Sequence, residues 1–240
     1  MTSTIGLQVR TDSKRLPCKA FLNLQGRTII GYLLESLYQT FQNDDIFVLT
    51  SREDSDDALV KEVEQNYNAN VRRGSLADVR SRYVELCKEV GCEYVVRLTG
   101  DNPFVRPMAV REAIVFALVN DLDYVSNKVG RFFPKGLDIE VIRATTLLTH
   151  ATKYDSPELR EHVTPSIIGA VLDGNLRGGS IEYPDPLKSS IPLSIDTPQD
   201  YLSVIEYLHE TGNESVFRAL GLDDSRFQFS IVDLPNPRIM

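Results

Sequence analysis

Cysteine is scarce in this chain: Cys18, Cys87 and Cys92 are the only three in 240 residues. An odd, widely spaced set excludes a disulfide framework, and no histidine stands near enough in sequence to complete a zinc-binding spacing. The reducing cytoplasm is the compartment this implies. Long hydrophobic runs are missing too. Met1 to Arg10 lacks the apolar core of a secretion signal, and nowhere do about 18 apolar residues follow one another, so neither export nor a membrane span is expected. Positive charge is also in deficit. Lys and Arg number 26 against 34 Asp and Glu, a net charge of −8, which argues against nucleic-acid partners and anionic membrane surfaces. Neither a Walker P-loop nor a Gly-x-Gly-x-x-Gly turn follows the first apolar run, which lowers the standing of those two nucleotide-binding classes.

What is present is an ordinary globular composition, 42% hydrophobic and 25% charged, in a chain long enough to bury roughly 70–75% of its unfolded surface without covalent staples. Short apolar runs alternate with helical patterns. Strands are expected at Ile5 to Val9, Asp45 to Thr50, Asn70 to Arg72, Glu93 to Leu98 and Asp123 to Ser126. Helices are expected at Thr28 to Phe41, Asp56 to Tyr67, Ser75 to Val90 (with Ser75 as N-cap) and Pro107 to Val119. Such alternation implies an α/β fold with a mainly parallel sheet covered on both faces. Beyond Lys128 the rhythm changes. Leu137 to Ile142, Ser180 to Tyr183 and Pro192 to Ile195 read as strands; Ala144 to Ala151, Pro157 to Leu172 and Gln199 to His209 read as helices. A mixed-sheet extension, with an arm that pairs two subunits, is expected here. One domain over residues 1–240 is the simplest organisation, with residues 1–127 and 128–240 as its two halves.

The loop after the first strand, Gln8 to Lys19, carries Arg10, Lys14, Arg15 and Lys19 against the single acid Asp12. In an open α/β sheet ligands bind beyond the carboxyl ends of the strands, where cations offset phosphate charge and guanidinium groups grip two oxygens at once. A merely solvated loop is the alternative. Asp101, in Thr99-Gly100-Asp101-Asn102-Pro103, and Asp196, in Ile195-Asp196-Thr197-Pro198, both follow expected strands. Two carboxylates with phosphate oxygens and water make the all-oxygen environment magnesium favours, but an aspartate before proline or near a helix start also serves as a turn or cap residue.

The string QVRTDSKRLPCKAF resembles the N-terminal signature of the cytidylyltransferases that activate acidic sugars, the Kdo and sialic acid synthetase type. It is most similar to the branch of spore coat polysaccharide biosynthesis protein F. Arg10, Ser13, Arg15, Leu16, Pro17 and Lys19 match that signature; Asp12 and Cys18 stand where glycines are commonest. The resemblance implies that Arg10, Ser13, Arg15 and Lys19, with Gln8, Thr99 and Gly100, hold the nucleotide, and that Asp101 and Asp196 bind the metal, Mg2+. Arg15, Lys19, Asp101 and Asp196 are the catalytic set so implied. Arg72-Arg73-Gly74-Ser75 resembles the family's R-G-S turn beside the nucleotide, which would add Arg73, Gly74 and Ser75, though a plain helix cap explains that turn equally. Pro134-Lys135-Gly136-Leu137-Asp138-Ile139-Glu140 resembles the family segment on the sugar side of the cleft. There Asp138 and Glu140, two apart on a strand, face one way, towards sugar hydroxyls or simply the wet side of an edge strand. Arg160-Glu161-His162-Val163-Thr164-Pro165 matches the REHVTP run of the same branch and adds Arg160, Glu161 and His162, the last as a residue near the sugar or as packed structure.

The fold implied is a Rossmann-like, three-layer nucleotidyltransferase (glycosyltransferase A-like) fold. The implied activity is Mg-dependent coupling of a sugar, either an acidic sugar or a sugar phosphate, to CTP with release of pyrophosphate, in surface polysaccharide or glycan biosynthesis. The implied assembly is a homodimer. A nucleotide-sugar-dependent glycosyltransferase and a non-catalytic nucleotide-binding subunit are the alternatives.

Overall fold

The computed structural model describes residues 3–128, 135–183, 192–210 and 224–232. Pro134 and the proline-rich stretch over 184–191 lie outside the described residues.

The first half builds the expected parallel sheet. Strands β1 (Ser3–Gln8), β4 (Ile46–Ser51), β5 (Asn70–Gly74) and β6 (Tyr94–Thr99) run parallel in the order β5-β4-β1-β6. Between β1 and β4 come a small antiparallel hairpin, β2 (Asn23–Leu24) with β3 (Arg27–Thr28), and helix α1 (Ile29–Tyr38). Helices α2 (Asp57–Tyr67), α3 (Val79–Val90) and α4 (Pro107–Val119) supply the crossovers. Because successive strand residues face opposite sides, β1 sends Ile5 and Leu7 into one apolar layer with Leu33, Leu34 and Leu37 of α1, Val63 of α2 and Val110 of α4. The opposite layer gathers Leu49 of β4, Val95 of β6, and Tyr83 and Leu86 of α3. Each such side chain, once buried, stabilises the fold by about 1.5–3 kcal/mol before entropy is counted. Burial on both faces explains why these strands read as continuous apolar runs.

The second half extends the sheet in mixed orientation. Strand β8 (Glu140–Arg143) lies antiparallel between β6 and β7 (Tyr124–Ser126); β9 (Gly178–Glu182) runs parallel to β7, and β10 (Gln228–Ile231) forms an antiparallel edge. Helices α5 (Ala144–Lys153), α6 (Pro157–His162) and α7 (Pro165–Leu172) follow β8, and α8 (Pro198–Glu210) follows Asp196 and Thr197. A third apolar cluster joins Val204 and Leu208 of α8 to Leu24 and Ile29 near the hairpin and to Phe104 after β6.

Several sequence expectations need correction. The single helix expected over Pro157 to Leu172 is two helices, because Val163 takes φ 69° and breaks the run before Pro165 opens the second. The helix expected from Ser75 starts at Val79. Asp78 is its cap, accepting from the Ser81 amide at 2.8 Å, while Ser75 Oγ accepts from the Asp78 amide at 3.0 Å. The strand expected from Leu137 begins at Glu140, since the Asn127 side chain bonds Leu137 O and the Ile139 amide in place of a neighbouring strand. Pro192 to Ile195 forms no strand; the Ile195 amide donates to Asp101 O at 2.8 Å, which ties the segment to the end of the sheet.

Candidate active site

The order β4-β1-β6 sends the chain to opposite sides of β1, so a crevice opens at the carboxyl ends of β1 and β6. Gln8 pairs with Thr99 in register, and the Gly100 amide donates to Gln8 O at 2.8 Å. The loops after both strands therefore leave side by side.

The basic loop after β1 is pinned at its start. Thr11 donates its amide and its hydroxyl to Asp56 Oδ1 at 2.8 and 2.6 Å. Thr50 Oγ1 and the Ser51 amide donate to the other carboxylate oxygen at 2.7 and 3.0 Å. Burial alone would push the Asp56 carboxyl up; hydrogen bonds from Ser51, Thr11 and Thr50 outweigh it and hold it at about 2. Sequence reasoning missed Asp56, which looked like an ordinary residue at a helix start. The loop ends on Cys18 at φ 56° and ψ 23°, the left-handed region that favours glycine, followed by one 3-10 turn over Lys19–Phe21.

Lys19 Nζ lies 3.0 Å from Asp101 Oδ2 and 3.0 Å from Asp196 Oδ1. One ammonium group thus bridges two carboxylates far apart in sequence. Arg15 reaches Asp196 Oδ1 at 3.1 Å and Lys135 reaches Asp196 Oδ2 at 2.9 Å. Thr99 Oγ1 donates to Asp101 Oδ1 at 2.6 Å and fixes that carboxylate. Burial works to raise the Asp196 carboxyl, but hydrogen bonds from Lys135 and Lys19, and their charges, hold it well below the usual carboxylate range. Asp196 does not cap α8. The Asp200 carboxylate accepts from the Asp196 and Thr197 amides at 3.0 and 2.8 Å, and Thr197 Oγ1 accepts from the Asp200 amide at 3.2 Å. This reciprocal capping box serves the helix start and leaves Asp196 to the cations.

A cleft of about 550 Å³ opens around these groups. Gln8, Arg10, Ser13, Arg15, Lys19, Thr99, Gly100, Asp101, Glu161, His162 and Asp196 all line it. So do the buried Arg82 of α3, which the sequence reading passed over, and the partly buried Arg97 of β6, which as a charge in a buried run was expected to need a partner and finds it in Glu140. Arg82 donates Nε to Ser75 O at 2.8 Å and has no carboxylate within ion-pair distance among the described residues. A buried cation with no ion-pair partner on a cleft wall suits an anion, although Asp56 and Asp78 lie near enough to act on its charge. The Arg72–Ser75 turn therefore supports the cleft from behind. Arg73 turns away to Asp57 and to Ser51 O and Glu53 O, Gly74 packs on the Arg82 stem, and Ser75 holds the Arg82 headgroup.

The sugar-side expectations divide. Glu161 and His162 stand on the cleft, but Arg160 faces outward and pairs with Asp155. Glu140 is only 1% exposed and ion-paired to Arg97 and Lys128, with Tyr124 OH and Thr164 Oγ1 donating at 2.7 and 2.6 Å. Burial raises its carboxyl, and Arg97, Lys128 and the two hydroxyls bring it down to about 2. Asp138, half-buried and outside the strand, is pushed up by burial. Asp138 and Glu140 therefore do not share the wet face expected of an edge strand. Gly136, at φ 105°, brings its Cα against the Leu193–Ser194 backbone so closely that a Cβ would collide, which fixes Lys135 beside Asp196.

The cytidylyltransferase family model matches residues 6–172. Spore coat polysaccharide biosynthesis protein SpsF of Bacillus subtilis is 30% identical over 216 residues, 86% of each chain. A solved cytidylyltransferase of Leptospira borgpetersenii superposes with a TM-score of 0.79 at 26% identity, covering 90% of this chain and 98% of that one. A CMP:2-keto-3-deoxy-manno-octonic acid synthetase solved with CTP shares the fold, with a TM-score of 0.65 at 16% identity over 88% of this chain and 100% of that one. The match spans both loops that meet at Lys19 and Asp101, and with it the chain is placed in the cytidylyltransferase family.

Proposed function

We propose that this chain transfers a cytidylyl group from CTP to a sugar oxygen and releases pyrophosphate, in the building of surface polysaccharide or another glycan. The observation that carries the reading is the convergence of Lys19, Asp101 and Asp196 at the mouth of a cleft otherwise walled by Arg10, Arg15, Arg82 and Arg97. A cationic cleft suits a triphosphate; two carboxylates at its edge suit a divalent cation.

The donor set fits magnesium. Asp101 and Asp196 offer carboxylate oxygens facing a common point now held by an ammonium group, and magnesium binds through one or two carboxylates with phosphate oxygens and water completing its shell. When bound, Mg2+ would offset charge on the departing pyrophosphate.

The chain's own groups position the reactants. Arg10, Ser13, Arg15 and Lys19 receive the phosphates, with Gln8, Thr99 and Gly100 lining the nucleotide's path. A phosphate oxygen of the sugar, or a hydroxyl that gives its proton to water, attacks the α-phosphorus in line, the bond from that phosphorus to the oxygen bridging the β-phosphate breaks, and its electrons leave with pyrophosphate. Lys19 offsets charge as it builds on the leaving group. Glu161 and His162 stand where the acceptor enters. Related assignments are a single domain, a cytoplasmic location, suited to three free thiols, and a homodimer, supported by the exposed apolar side chains Val115 and Val119 of α4 beside the β10 edge.

The test is a matrix of four nucleoside triphosphates against sugar acids and sugar phosphates, read by released pyrophosphate. Release with CTP alone supports the reading. Transfer of sugar from a nucleotide sugar, with no pyrophosphate, would replace it with glycosyl transfer. Metal-dependent CTP binding without turnover would favour a non-catalytic subunit.

A further inference from the structure

We infer that Lys19 is the resident counter-ion of the Asp101–Asp196 pair and sets the order in which the site fills. Its ammonium holds both carboxylates and yields them to a divalent cation only when triphosphate oxygens are there to receive it. Metal therefore enters with the nucleotide and not ahead of it. The inference rests on the cytidylyl-transfer reading and adds to it an order of binding, in which Lys135, absent from the expected site residues, takes part.

Every oxygen of the two carboxylates already has a partner. Asp101 Oδ2 accepts from Lys19 at 3.0 Å and Asp101 Oδ1 from Thr99 Oγ1 at 2.6 Å. Asp196 Oδ1 accepts from Lys19 at 3.0 Å and lies 3.1 Å from Arg15, while Asp196 Oδ2 accepts from Lys135 at 2.9 Å. The Lys19 side chain is only 14% exposed, and among the described residues these two carboxylates are the only acceptors of its ammonium. A divalent cation arriving alone would have to push that ammonium aside and leave it unpaired in a sheltered place. The two positive charges would then repel one another across a few ångströms.

A triphosphate removes both obstacles. The backbone at Lys19 is fixed, since Thr11 is pinned on Asp56, the Cys18 amide donates to Thr11 O at 3.0 Å, and a 3-10 turn follows over Lys19–Phe21. Only the side chain has to move, and its flexible four-carbon stem lets the charge swing about a still Cα. Arg15 and Lys135 are mostly exposed and free to follow. Phosphate oxygens can accept from all three cations while the metal takes the carboxylate oxygens they leave, so charge-assisted contacts are exchanged and not lost. Metal without nucleotide strands those cations instead.

The experiment measures binding with no acceptor present, so turnover plays no part. Manganese is the probe, read through the relaxation of its water protons, with the full chain alone and with CTP, after subtraction of the manganese–CTP signal formed without protein. The parent should bind manganese alone at least about tenfold more weakly than manganese with CTP. Lys19→Gln should move the two affinities in opposite directions. Manganese alone should tighten by about tenfold or more, because one positive charge has left the carboxylates, and manganese with CTP should weaken. A merely structural loss would weaken both. Lys135→Gln should tighten manganese alone by less, because Lys135 touches Asp196 only, and adding Asp196→Asn to Lys19→Gln should cancel the gain. Manganese bound by the parent as tightly without CTP as with it, or made no tighter by Lys19→Gln, overturns the inference and leaves cytidylyl transfer intact. If Lys19→Gln melts too early to titrate, the parent comparison and Lys135→Gln decide. A parent that binds no CTP, with metal or without, defeats the transfer reading and the inference with it.

Discussion

The Asp200 carboxylate accepts the Asp196 backbone amide at 3.0 Å, and through that contact the cap of α8 and the cleft carboxylate are divided between two residues. Their substitutions should separate accordingly. Asp196→Asn is expected to remove nearly all turnover while the melting temperature stays close to the parent's. Asp200→Ala is expected to cost about 1 kcal/mol of stability, the usual value of a lost cap, with a smaller loss of activity. Thermal melts and pyrophosphate assays on both variants check this.

Asp56 anchors the start of the basic loop through Thr11, Thr50 and Ser51. Asp56→Ala leaves those buried donors unmet, at about 1–3 kcal/mol for each one that water does not reach. The loop should then wander, raising the KM for CTP more than it lowers kcat. Steady-state kinetics with CTP varied reads the split.

Acid should unfold the chain through Asp56 and Glu140. Both carboxyls are held at about 2, below ordinary values of 3.8 and 4.5. A depressed carboxyl contributes stability that is fully present above its unfolded value and is lost as pH falls through the folded one. Melting temperature should therefore be flat above about pH 5 and fall steeply between about pH 4.5 and 2. Asp56→Asn should start lower at neutral pH and lose less on acidification.

Cys18 occupies the left-handed region at φ 56°. Cys18→Gly is expected to be neutral or stabilising by up to about 1 kcal/mol, because glycine adopts that backbone without strain. Cys18→Val should destabilise, since a β-branched side chain is least tolerant there. Denaturant titrations of both variants supply the comparison.

Much of this was legible in the sequence, for reasons that can be named. β1, β4 and β6 are buried on both faces, so their apolar runs were unambiguous, and Pro107 at a helix start gave α4 its bounds. The cationic loop and Asp101 were legible because strand ends place ligands in this class of sheet, whereas Asp196 follows no strand and was singled out through the Asp-Thr-Pro motif of the family it resembles. Arg82 was passed over, and Arg97 was read only as a charge in a buried run that needs a partner. Each lies inside an element whose pattern reads as helix or strand, and only three-dimensional packing reveals that one lacks a counter-ion and the other keeps a free donor. Glu140 was left between a sugar-facing residue and the wet side of an edge strand, because alternation cannot tell either from a face buried against Tyr124 and Thr164. The β10 edge and the β2–β3 hairpin were too short, at four and two residues per strand, to leave a periodic signal.

The most direct measurement is a calorimetric titration of CTP into the parent chain and into Asp196→Asn, each with magnesium and again with the metal chelated. If Lys19, Asp101 and Asp196 form one triphosphate and cation site, chelation should weaken CTP binding to the parent by about tenfold or more and change the variant far less. CTP affinity that ignores both the chelator and the substitution would contradict the account.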